Sequence, residues 1–406
     1  MSRQPATLQD GLALSLDQLL ARQSFKWRQY QPGVLAACVA DMDLGTAPAV
    51  QAALAQVLQR VDFTYPLRDG RKADRAVAHA FAARMRRLYG WQAEADQVLV
   101  LPDLVQATFA AVMAFTDPGD GVIVQVPHYA PFREAVEGTG RRLIPLEMRA
   151  GADGYQLDLE RLAHAIDART RVLILCNPHN PTGRVLSRAE LDSVLAFAER
   201  HALIVVSDEI HADLVYPGAR HLPFAALSDA AAARTVTLNS ATKSFNIAGL
   251  RCAVAHFGTP ELQRRFHARL PARLTGAVNN LGVDATVAAW NEGQPWLDAV
   301  LAHLLAMRDY AADILRRELP AIRFHVPQGT YLLWLDCAAL ELDQPAADFF
   351  LQHAKVALSP GEVFDARAPH CARLNFATSQ PLLAEILDRM VMAVRAHQRR
   401  HLPAHT

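Results

Sequence analysis

Six short runs rich in β-branched and apolar residues dominate the middle of the chain: QVLVL (97–101), GVIVQV (121–126), RVLILC (171–176), LIVVSD (203–208), TVTLNS (235–240) and RCAVAHF (251–257). Helical patterns separate several of them, in VQATFAAVMAF, APFREAVEG and SRAELDSVLAFAERH. Runs that are apolar throughout, rather than alternating, are strands buried on both faces. Strands separated by helices form a parallel sheet with helices on either side. The fold class expected is therefore α/β, a large domain with a mostly parallel sheet flanked by helices. In such a sheet the functional residues lie just past the carboxyl ends of the strands. Farther on, a helical pattern from Trp296 to Leu319 stops at Pro320, and sparser strands follow in RFHV, TYLLWLD and ARLNFA. These predict a smaller α+β domain. The expected boundaries are 1–45, a segment joining the small domain; 46–294, the large domain; and 295–406, a linker helix with the small domain.

A chain of 406 residues is long enough for two or three such domains. Lysine plus arginine equals aspartate plus glutamate at 41 each, so nothing favours nucleic acid or an anionic membrane as partner. The five cysteines are scattered with no CxxC pair, which argues against a disulfide framework or a zinc site. No HExxH or supported HxxxH pattern occurs among the sixteen histidines, and no metal is expected. GxGxxG is absent, so a dinucleotide site has no support. Asp10 and Asp17 interrupt any apolar leader, and no stretch approaches the length of a bilayer span. A cytoplasmic protein is the expectation. The basic stretch RAHQRRH near the end reads as a solvated helix terminus.

Three of the strands end in polar groups: NPHNPTG (177–183) after LILC, SDEIHADLV (207–215) after IVV, and NSATK (239–243) after VTL. One polar strand end is usually a cap, but three in one parallel sheet converge on one crevice. Lys243 sits among small, hydroxyl-bearing and apolar residues, and Arg251 follows eight positions later, so both are expected to be buried. A lysine in such surroundings has a depressed pKa and forms Schiff bases with carbonyl cofactors. An aspartate facing a pyridine nitrogen keeps it protonated and electron-withdrawing. An arginine with nearby hydroxyls suits a phosphate. Together these groups match pyridoxal 5′-phosphate.

The motifs NPHNPTG, SDEIHADLVY and SATKSFNIAGLR, in that order, resemble those of fold-type I pyridoxal-phosphate enzymes of the class I/II aminotransferase superfamily. More narrowly the chain is similar to the MalY/PatB-type cystathionine β-lyases (C–S lyases). The stretches that carry this are VADMD (39–43), PGDGVIVQVPHYAPF (118–132), CNPHNPTGRV (176–185), DEIH (208–211), WLD (296–298), GTYLLWLD (329–336) and RLNFA (373–377). The resemblance implies that Lys243 carries the cofactor covalently and that Asp208 pairs with the pyridine nitrogen. It places Asn180 and His211 near the ring hydroxyl, and Tyr129 stacked on the ring. Ser240, Thr242 and Arg251 would hold the phosphate, with backbone amides at Leu104 and Val105 where a helix starts. Tyr65 would reach the phosphate of a neighbouring subunit, which implies a homodimer with shared sites. Arg373 would clamp the substrate α-carboxylate; without that role it would read as an edge-strand cation. Tyr331 and Asp41 lie in family motifs without an assigned role.

Four positions depart from the family pattern. Asp103 and Thr64 stand where glycine is usual, Cys38 where tryptophan is common, and Asp365 where another glycine is usual. Asp103 would repel a phosphate if it pointed inward, and would be harmless as a helix cap pointing away. The activity implied is β-elimination from cystathionine or another cysteine S-conjugate, giving a thiol, pyruvate and ammonia. An aminotransferase uses the same residues and remains an alternative. A regulatory protein that keeps the cofactor as a structural ligand is a third reading.

Overall fold

The structure, a computed structural model, describes residues 12–68, 70–151 and 154–401. The chain forms two compact units: a larger one of Thr46–Asn180 and Arg184–Asp298, and a smaller one of the described residues up to Gly45, Pro181–Gly183 and those from Ala299 onward.

The larger unit is built on eight strands: β1 (Val98–Leu101), β2 (Gly121–Val126), β3 (Arg142–Gly151), β4 (Gly154–Leu157), β5 (Thr170–Cys176), β6 (Ile204–Asp208), β7 (Thr235–Asn239) and β8 (Ala253–Phe257). Their order across the sheet is β1-β8-β7-β6-β5-β2-β3-β4. Strands β7, β6, β5, β2 and β3 pair in parallel. The RCAVAHF strand departs from the parallel expectation, because β8 runs antiparallel to both β7 and β1. The link from β7 to β8 contains only turns and a short 3-10 segment, Ala248–Leu250, and no crossover helix, which a parallel return would require. Strands β3 and β4 form an antiparallel pair at the other edge.

Alternation along each strand divides its side chains between two apolar layers. Val122, Val124, Val172, Ile174, Val206 and Leu238 share one cluster with helix α1 (Leu104–Phe115) and Phe257. Ile123, Leu173, Leu175 and Val205 share another with helix α2 (Arg188–Arg200). Helix α2 begins at a reciprocal cap in which the Ser187 hydroxyl accepts from the Glu190 amide and the Glu190 side chain accepts from the Ser187 amide.

In the smaller unit, β9 (Leu332–Asp336), β10 (Ser359–Pro360) and β11 (Cys371–Asn375) form an antiparallel sheet in the order β9-β11-β10. Leu35–Ala36 pairs in parallel with Val356–Ala357. RFHV, expected as a strand, supplies one isolated bridge, between Arg323 and Asp336. The helix expected to end before Pro320 spans Gln294–Glu318. All five cysteines are buried free thiols. Among the described residues no helix is long and apolar enough to cross a membrane.

Candidate active site

Strand register aligns the groups singled out in the sequence. Cys176 of β5 lies opposite Asp208 of β6, and Asp208 opposite Leu238 of β7. The segments that follow these three neighbouring residues therefore leave the sheet at one end. They carry Asn180, His211 and Lys243.

Asp208 is the last residue of β6 and is 5 % exposed. Burial pushes its carboxyl from 3.8 up to about 7; the Glu209 charge acts in the same direction, while the Ile210 amide and Lys243 oppose it. Its Oδ1 accepts the Ile210 N–H at 3.1 Å. A buried carboxyl of this kind gains most from a cation that faces it directly. Lys243 is half-buried in a turn closed by the Phe245 N–H on the Ala241 carbonyl (2.9 Å) and the Ile247 N–H on the Thr242 carbonyl (3.0 Å).

Asn180 and His211 are buried, at 5 % and 2 % exposure. The loop carrying Asn180 is fastened by the His179 N–H on the Arg184 carbonyl (2.8 Å) and by Asn177 Oδ1, which accepts the Leu186 N–H (2.9 Å). Tyr129 precedes the helix Ala130–Glu137, is partly exposed and meets the Phe132 ring edge-on at 5.6 Å. Ser240 is buried; its hydroxyl donates to the Cys252 carbonyl (2.7 Å), accepts the Thr242 N–H (3.1 Å) and lies 2.9 Å from Thr242 Oγ1. It thereby ties the lysine turn to the start of β8.

The expected burial of both cations needs correction. Lys243 is only half-buried, and the Arg251 side chain is 62 % exposed. Arg251 takes a left-handed backbone (φ 52°) after the 3-10 turn, and its Nη1 pairs with Asp103 Oδ2 at 2.7 Å. Solvent and that carboxylate stabilise the guanidinium, so it has no need of a buried partner. Asp103 is also the N-cap of α1, with Oδ1 accepting the Gln106 N–H at 2.8 Å. It is thus a cap, as its sequence position allows, but its other oxygen is turned to Arg251. Leu104 and Val105 are the first residues of that helix.

Tyr65 is fully exposed. Arg373 belongs to the smaller unit and is 5 % exposed. It lies on the middle strand, β11, not on an edge; its Nη2 donates to Ser359 Oγ (3.1 Å) and its guanidinium stacks 4.7 Å from the Phe364 ring centroid. Cys38 lies in the same unit, 3.7 Å from the Tyr30 hydroxyl. The Tyr331 hydroxyl donates to the Ala40 carbonyl at 2.7 Å. The Thr64 carbonyl accepts from Asn280 Nδ2 (3.0 Å), and Asp365 holds Arg367 through two guanidinium contacts.

One group the sequence did not single out follows Asp208 in the chain. Glu209 is buried and accepts from the Ser207 hydroxyl (2.9 Å) and the Phe224 N–H (3.0 Å), with His221 Nε2 at 3.1 Å. An acid directly following Asp208 at the end of an apolar strand was the available signal. Among the described residues Asp336, His370 and Cys371 bring potential metal ligands within 4.8 Å of one another. Burial, then Asp336 and Asp365, push the Cys371 thiol up to about 12.

Comparison with known proteins fits this arrangement. The family model for aminotransferase class I and II matches residues 34–390. The chain is 36 % identical to the cystathionine beta-lyase PatB of Bacillus subtilis, over 93 % of this chain and 98 % of that one. The crystal structure of OvoB superposes with a TM-score of 0.87 at 38 % identity, covering 92 % of this chain and 96 % of that one. Cystalysin from Treponema denticola, whose structure contains pyridoxal 5′-phosphate, superposes with a TM-score of 0.86 at 28 % identity, over 92 % and 96 % of the two chains. A match that runs through both units and takes in every strand-end motif shows that this chain belongs to the class I and II aminotransferase family.

Proposed function

We propose that this protein is a pyridoxal 5′-phosphate-dependent carbon–sulfur lyase that cleaves cystathionine or related cysteine S-conjugates to a thiol, pyruvate and ammonia. The observation that carries the cofactor assignment is Asp208, a buried carboxyl with its pKa raised to about 7, on which the Lys243 charge acts. That donor set fits a protonated pyridine with an aldehyde, and the Arg251 guanidinium fits its phosphate. The lyase assignment is supported by the similarity to PatB.

When bound, the cofactor supplies an electron sink for negative charge at the substrate α-carbon. Asp208 would pair with the ring nitrogen and keep it protonated. Asn180 and His211 would serve the ring hydroxyl, and Tyr129 would serve the ring. Lys243 would hold the aldehyde and would act as general base for the substrate α-proton. The Lys243 ammonium so formed is a proton source for the departing sulfur. Ser240, Thr242, Arg251 and the Leu104 and Val105 amides serve the phosphate. Arg373 orients the substrate through its α-carboxylate; stacking on Phe364 holds the fork in one plane.

The same reading includes a homodimer in the cytoplasm. Leu58, Val61, Phe63, Tyr65 and Leu67 expose large apolar surface within ten residues of chain, with Tyr65 at 100 %. A second copy covering this stretch would remove it from water and give Tyr65 access to the partner's phosphate.

The test is incubation of the purified protein with L-cystathionine. Stoichiometric pyruvate, ammonia and thiol without an added keto acid support the lyase. Accumulation of pyridoxamine phosphate with dependence on a keto acid would replace it with the transaminase.

A further inference from the structure

The first turn of α1 and the Arg251 guanidinium are the two groups best suited to an anion at this end of the sheet. One carboxylate engages both: Asp103 Oδ1 accepts the Gln106 N–H at 2.8 Å, and Asp103 Oδ2 meets Arg251 Nη1 at 2.7 Å. The backbone around Arg251 is fixed independently. Asn279 Nδ2 donates to the Leu250 carbonyl at 3.1 Å, and Gly282 packs so closely that a Cβ there would lie 2.4 Å from that oxygen. With its backbone anchored, Arg251 can redirect only its side chain.

We propose that Asp103 is an internal rival of the cofactor's phosphate for Arg251 and the start of α1, and that it sets how tightly the phosphorylated cofactor is held. This rests on the cofactor reading above. A phosphate that takes Arg251 must displace the Asp103 carboxylate from it. The displaced carboxylate remains the helix cap, because its other oxygen is committed to Gln106, and so stays close to the arriving dianion. Like charges a few ångströms apart in a solvated site repel enough to weaken binding about ten-fold, the equivalent of ~1.4 kcal/mol. The effect is specific to the phosphate: an aldehyde lacking that group meets Lys243 and Asp208 in the same way but makes no demand on Arg251. The outcome is a cofactor that exchanges more readily than the rest of its contacts would allow.

The experiment compares the full-length protein with Asp103→Asn and Asp103→Gly. Asparagine keeps the capping side chain while removing the charge; glycine removes the side chain and the charge but is itself tolerated at an N-cap. Each protein is stripped of cofactor and titrated with pyridoxal 5′-phosphate and, separately, with pyridoxal, following the visible absorbance of the bound aldehyde. The expected result is roughly ten-fold tighter binding of pyridoxal phosphate to Asp103→Asn, a similar gain for Asp103→Gly, and pyridoxal affinity unchanged in both. An unchanged or weakened affinity for pyridoxal phosphate in Asp103→Asn, or an equal gain for the two aldehydes, overturns the proposal. If no form of the protein takes up either aldehyde, the cofactor reading itself falls and the proposal falls with it.

Discussion

Glu209, the residue after Asp208, and His221 are both buried and meet at 3.1 Å. The Glu209 carboxylate also accepts the Ser207 hydroxyl and the Phe224 N–H, so the residues on either side of Asp208 belong to one hydrogen-bonded unit. The Asn239 side chain extends it by donating to the Glu209 carbonyl at 3.2 Å. Replacing Glu209 with alanine leaves buried donors without their acceptor. We predict a loss of roughly 3 kcal/mol in urea unfolding. Glu209→Gln, which keeps acceptor capacity, should lose less.

Asp208 gives a pH signature in the protein stripped of cofactor. Its folded pKa, about 7, lies above the unfolded value of 3.8, so the folded state binds the proton more tightly. The resulting stabilisation is complete below the unfolded pKa and is lost as pH rises through about 7. It amounts to about 4 kcal/mol at most. Between pH 4 and 7, Asp208→Asn should remove this downward component from the unfolding free energy, as measured by denaturant titration at a series of pH values.

Lys243→Ala should reduce pyruvate release from L-cystathionine by about a thousand-fold or more, because it removes both the anchor and the general base. Circular dichroism should remain that of the unaltered protein, since Lys243 is only half-buried. A preserved rate would show that another residue takes the α-proton.

Arg373 separates charge from geometry. Arg373→Lys keeps the cation but loses the planar fork beside Ser359 and Phe364. We expect KM for the amino-acid substrate to rise about ten- to a hundred-fold, with a smaller change in kcat. Steady-state kinetics on both variants, Arg373→Lys and Arg373→Ala, provide the comparison.

The exposed stretch from Leu58 to Leu67 gives a prediction about assembly. Leu67→Glu places a charge among apolar side chains that the homodimer reading would cover. Sedimentation velocity should show a dimer for the unaltered protein and a shift toward monomer for the variant. Identical profiles would remove this stretch from the interface.

Much of the larger unit was legible because its strands are buried on both faces, which leaves unbroken apolar runs such as VLILC and IVVSD. Strands β3 and β4 were not legible: Arg142, Pro145, Glu147 and Arg149 interrupt the pattern where the sheet approaches its edge and alternate residues meet water. The direction of β8 was hidden for another reason. Its composition matches that of its neighbours, and only the connection preceding it sets its sense. Within the site, Asp208 and Lys243 follow from their strand-end positions. The exposure of Arg251 does not, because its partner Asp103 lies 148 residues earlier and no local spacing links them. The role of Glu209 is not legible locally, because its hydrogen-bond partners include Phe224 and His221, brought to it only by the fold.

The most direct measurement is borohydride reduction of the purified protein followed by peptide mapping. The expected result is a pyridoxyl group fixed to the peptide containing Lys243, with loss of the visible absorbance. A reduced adduct on a different lysine, or none on a protein that still turns over cystathionine, would contradict it.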